Sequence, residues 1–194
     1  MSVPFPLLSF FGEFWRYESL YASSGTAWDA VETSEMNKQS DFLLNKVLRY
    51  DLVFVHVTGA PRPQVLRAKI GRIYSTGEGI VRSFLKSEVE FIRSGGTWGD
   101  VALKVGEQAL LFVKSISGKL YENPWHGHMV VEDIEGALYA IYPHRELWLS
   151  DDVPTLIRGS SRQDPKRLYA TAIRFDVMEE YLLGLVERHG QDRS

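Results

Sequence analysis

The chain contains no cysteine. That single absence removes disulfide staples, thiolate metal ligands and a cysteine nucleophile together. Long apolar runs are missing too: no stretch reaches the roughly 18 uncharged residues that a membrane-spanning helix needs. The apolar stretch from Phe5 to Phe14 is broken by Gly12 and Glu13, and no Lys or Arg precedes it. It therefore lacks the layout of a secretory signal. No GxSxG nucleophile elbow, GxGxxG fingerprint or Walker-type phosphate loop occurs; the glycine-rich Ser94 to Gly99 is followed by Asp100 and not by Lys-Ser or Lys-Thr. These absences give the expectation of a soluble cytoplasmic protein with no cofactor and no catalytic centre of familiar pattern.

What is present is an ordinary globular composition over 194 residues, 44% apolar and 24% charged, enough for one domain with its own core. The expected fold class is α+β, mainly β: a small OB-like, partly closed antiparallel barrel flanked by N-terminal helices and a C-terminal helix. Residues 1–194 read as a single domain, with a helical flank over 1–50, a barrel core over 51–149, and a loop plus docking helix over 150–194. Phe10, Phe14, Tyr17 and Tyr21 recur at helical spacing in an N-terminal stretch that holds 8 of the 24 aromatics. A second helix is expected after Ser34, with Phe42, Leu43, Val47 and Tyr50 on its apolar side.

The middle of the chain is strand-like. Asp51-Leu-Val-Phe-Val-His-Val57 carries apolar residues on both alternating faces, so it is expected to be covered on both sides for part of its length. Gly59 to Pro63 reads as a stiff loop. From Val65 the pattern alternates until Gly71 shifts its phase, the mark of a β-bulge in a bent strand. Phe84 to Ile92 returns, Ala109 to Val113 is the strongest strand, and Gly118 turns it back through Lys119 to Glu122. Ala137 to Tyr142 is a further strand, whereas Gly159 to Lys166 reads as a polar, mobile loop. Asp176-Val-Met-Glu179 has the form of a capping box opening a helix with Met178, Leu182 and Leu185 on one side.

This succession resembles the OB-type barrel of the tissue-inhibitor-of-metalloproteinases (netrin-like) superfamily, including its bacterial relatives. The matching stretches are Asp51 to Val55, Leu66 to Tyr74, Ser87 to Phe91 and Val105 to Phe112, within a region of about 70 residues. The resemblance implies the barrel and a binding role. It does not carry over metalloproteinase inhibition, which in that superfamily uses an N-terminal cysteine that this chain lacks.

Charge narrows the functional classes further. The net charge of −3 conceals a middle section, residues 61–121, with 10 basic and 5 acidic groups, between acidic flanks. Residues 122–152 hold seven carboxylates against Arg145 alone. The leading expectation is a non-enzymatic protein-binding module of immunity-protein or antitoxin type, covering another protein such as a basic toxin with the face carrying Trp125, Glu132, Asp133, Glu135, Trp148, Asp151 and Asp152. One alternative is a single-stranded nucleic-acid module using Arg67, Lys69, Arg72, Tyr74 and Arg82. A second alternative is a metal-dependent enzyme. His126-x-His128 with Glu132 has a spacing similar to the metal-binding core of cupins, and on a strand all three would share one face. Asn123-Pro124 just before it points instead to a loop, where that alternation fails.

Overall fold

The computed structural model describes residues 39–74, 87–94, 102–145 and 153–189. They belong to one compact unit, Lys38–Ser194. Its centre is a barrel of five strands: β1 Asp51–Arg62, β2 Val65–Ile73, β3 Glu88–Ile92, β4 Gln108–Ile116 and β5 Lys119–Glu122. The order is β1-β2-β3-β5-β4, and β4 pairs back onto β1, from Asp51 opposite Val113 to His56 opposite Gln108. The barrel is closed, which removes the open sheet edges that invite aggregation. All its pairs are antiparallel except β3 with β5. Val53, Val55, Leu66, Ala68, Ile70, Phe91 and Leu111 fill the interior, and Leu103 plugs it from the connection before β4.

The alternation of β1 and β4 explains the second core. Residues that point away from the barrel interior, Leu52, Leu110 and Phe112, are as buried as those that point in. They are covered by α1 Gln39–Arg49 and by an extension of the sheet. Leu43 and Val47, one turn apart on α1, are each 1% exposed. The extension is built from β6 His128–Ile134, β7 Ala137–Tyr142, β8 Ser161–Gln163 and β9 Thr171–Arg174 in the order β6-β7-β9-β8. A short α2, Thr155–Gly159, and the longer α3, Phe175–His189, close the layer, with Met178, Leu182 and Leu185 turned inward.

The expected bulge is present. Phe54 lies opposite Arg72 and Val55 opposite Ile70, which leaves Gly71 unpaired. A Cβ there would sit 3.3 Å from the Phe54 ring, so glycine lets that ring lie on the backbone. Other expectations need correction. Gly59 to Pro63 is not a loop throughout, because β1 continues through Pro61 to Arg62 at an exposed hairpin end. The polar stretch after Gly159 is strand β8, held by β9, a strand whose four residues are too short to announce themselves in sequence. Asp176 and Glu179 do not close a capping box: Asp176 accepts from Arg174, and Glu179 is taken by Arg72 and Tyr74 across the fold. The N-terminal aromatic helix, the Ser34 cap and Phe84 lie outside the described residues.

Because β4 is buried on both faces, truncations at adjacent positions should both be costly. Leu110→Ala and Leu111→Ala are each expected to destabilise by about 2–5 kcal/mol in denaturant unfolding. A strand with one wet face would show the loss at only one of the two.

Candidate functional site at the strand bulge

Strands β5 and β6 pair with the same edge of β4, one after the other. Glu122 lies opposite Val113 and His128 opposite Leu111, so the five residues Asn123 to Gly127 face Phe112 alone. Phe112 holds both ends of this large bulge: its N–H donates to the Gly127 carbonyl at 2.8 Å, and its carbonyl accepts from the Asn123 N–H at 2.9 Å. Here the chain leaves the barrel and enters the extension sheet. Asn123-Pro124 starts the departure because proline supplies no N–H to the ladder. Gly127 ends it because a Cβ would lie 2.3 Å from the Asn123 carbonyl oxygen.

Lys46 of α1 reaches into the bulge. Its ammonium donates to Asn123 Oδ1 at 2.9 Å and to the Trp125 carbonyl, and it stands 4.8 Å from the Phe42 ring centroid. Asn123 Oδ1 also accepts the Trp125 N–H at 2.8 Å. Lys46 is 5% exposed, and these carbonyl oxygens and the ring face compensate the loss of water around its charge. The bulge backbone is thus fixed from three sides. Trp125 points outward and is 55% exposed, whereas the next residue, His126, points inward and is 3% exposed.

His126 adopts a left-handed backbone, φ 47°, which turns its ring away from the course of a strand. Its Nε2 lies 2.5 Å from Nε2 of His144, beyond the end of β7. His128 is on β6, and its Nδ1 pairs with Glu122 Oε1 at 2.5 Å, with both side chains buried. Glu132 is four residues further along β6, about 13 Å away at the rise of a strand. The His126, His128 and Glu132 set therefore does not converge on one ion. The alternation that would align it fails because His126 is in the bulge. Among the described residues no three His, Cys, Asp or Glu side chains group as metal ligands.

The expected acidic face is occupied by the chain's own cations. Glu132 accepts from Lys166 at 2.9 Å and from Arg167, and Arg167 also bonds the buried Asp164 at 2.6 Å. Glu135 pairs with Arg162 at 3.0 Å, and Asp133 caps the β6–β7 turn through the Gly136 N–H. Burial pushes the Glu132 carboxyl up, but the hydrogen bonds from Arg167 and Lys166 outweigh it and hold the group below its ordinary value. Trp148, Asp151 and Asp152 lie outside the described residues. The basic face is similarly matched: Arg67 bonds Glu90 at 2.8 Å, Lys69 stands opposite Glu88, and Arg72 and Tyr74 both reach Glu179. Burial and then the Glu179 hydrogen bond raise the Tyr74 hydroxyl well above its usual value. Arg82 is outside the described residues.

Sequence reasoning missed Lys46 and His144. Neither carries a local signal, because each acts on a loop far away in the chain. No protein family, curated protein or solved structure matches the chain, and among the described residues no helix is long and apolar enough to cross a membrane.

Two outcomes follow from this geometry. Gly127→Ala should lose about 1–3 kcal/mol through overpacking, while Gly59→Ala, whose nearest neighbour would be 3.9 Å away, should stay within about 0.5 kcal/mol; paired thermal melts would show it. The folded-state pKa of Glu132 lies below its ordinary 4.5, so the stability it supplies is complete above that value and is lost as pH falls through the depressed one. The gap in melting temperature between the wild type and Glu132→Gln should be present at neutral pH and close in acid.

Proposed function

We propose that this chain is a non-enzymatic protein-binding module, an inhibitor that covers a partner protein in the manner of intracellular immunity proteins and antitoxins, and that Trp125 is its anchor. The observation that carries the reading is one large exposed aromatic ring on a backbone whose N–H and carbonyl are both held, by Asn123 and Lys46. Hot spots of protein interfaces are enriched in Trp, and an anchor that is already ordered spares the partner complex the entropy of freezing it. Lys46, Asn123 and Phe112 supply that order before any partner arrives. The barrel suits the role as a scaffold, since its interior is filled by buried aliphatic and aromatic side chains.

Glu132, Asp133 and Glu135 contribute less to this reading than sequence alone suggests. A basic partner would have to displace Lys166 and Arg167 to reach Glu132, while Glu135 pairs with Arg162 but stays exposed. The tryptophan therefore supplies the affinity, and the carboxylates shape the surroundings.

Trp125→Ala should weaken the complex by about 30-fold or more, the effect of losing one hot-spot side chain, with its own melting temperature almost unchanged. Wild type and variant would be compared by affinity capture from the native host, followed by calorimetry on the recovered partner. Equal retention by both forms would remove Trp125 from the interface and the reading with it.

A further inference from the structure

We propose that His126 and His144 form a two-histidine site for a divalent cation of the zinc class, placed directly behind the Trp125 bulge. The inference stands apart from the partner-binding reading and is tested without a partner.

Three observations carry it. The two Nε2 atoms are 2.5 Å apart, closer than an ordinary hydrogen bond to nitrogen. The ring centroids are 4.1 Å apart with the planes at 75°. Two imidazoles meeting nose to nose at that nitrogen separation would have more distant centroids, so at least one ring axis bends away from the line between the nitrogens. The pair meets as a bent hydrogen bond, and the same two nitrogens, once separated to about 3.3 Å, can instead hold a shared cation at about 2.0–2.1 Å from each.

The third observation is the backbone. A non-glycine residue held in the left-handed region carries local strain and persists where the surroundings over-determine it. At His126 the strain turns the ring inward, toward His144 and the Phe42 edge, with the ring centroid 6.2 Å from that of Phe42. The neighbouring carbonyl belongs to Trp125 and is already bound by Lys46. An oriented, buried imidazole in a fixed loop is what a metal ligand needs, because ordering it is then no longer a cost of binding.

Imidazole nitrogens without thiolate select zinc, copper or nickel over magnesium and calcium. With two protein ligands among the described residues, water would complete the coordination. The bound ion would be exchangeable, and it would stiffen the bulge on its inner side.

Zinc chloride titrated into the untagged full chain, first stripped with a chelator, tests the site. Calorimetry should show one zinc per chain, with a rise in melting temperature. His126→Gln and His144→Gln should each weaken binding by at least about tenfold, while His56→Gln, on the exposed face of β1, should leave it unchanged. Nitrogen-15 spectra of wild-type imidazoles need no variant: zinc should move the Nε2 resonances of two rings, and both signals should be missing from their respective variants. No zinc uptake by the wild type would overturn the proposal. So would uptake that persists in both variants, or nitrogen shifts at His56, His128 or His189 instead.

Discussion

Everything in this fold depends on the first half of β4, Ala109 to Val113, having no side in contact with water. Its two edges are paired, one with β1 and the other with β5 and then β6. Its two faces are buried in different cores, Leu111 and Val113 in the barrel and Leu110 and Phe112 under the helices. A strand placed so must be apolar almost without interruption, because any polar side chain would be cut off from solvent. Ala109-Leu-Leu-Phe-Val113 meets that demand.

The bulge is the price of letting one strand edge serve two sheets. β5 completes the barrel and β6 begins the extension, yet both must pair with β4 in sequence. β5 takes Val113 to Ile116 and β6 takes Gln108 to Leu111, and the five residues opposite Phe112 carry the chain from one to the other. That insertion releases backbone groups from the ladder, and they are recovered individually, through the Asn123 side chain and the Lys46 ammonium. A polar helix residue is thereby committed to the interior. The proposed function and the architecture meet at the same few residues, since the loop that joins β5 to β6 also exposes Trp125 and buries His126.

Much of the fold was legible in the sequence because it rests on local alternation. Val53, Val55 and Val57 against Leu52 and Phe54 announced a strand with two dry faces, and both faces are buried or nearly so. Gly71 announced the bulge, and Met178, Leu182 and Leu185 the docking face of α3. What was not legible depends on pairing at a distance. The carboxylates of 122–152 looked unmatched because Lys166, Arg167 and Arg162 follow them by some thirty positions. The basic residues of β2 looked like a binding face until β3 and α3 brought Glu90 and Glu179 to them. β8 and β9 were too short to show a period, whereas Asn123-Pro124 did point to the loop that holds His126.

Closure through β1 and β4 also has a consequence in time. The β1–β2 hairpin is complete in the nascent chain before the ribosome has made β4, so β1 waits without the strand that pairs with its other edge. Contacts between segments so far apart make folding slow, on the order of milliseconds to seconds for barrels of this kind. Early in its life the molecule is therefore a sticky half-barrel. Its yield in the cell will be governed by how quickly Gln108 to Val113 arrives to seal it.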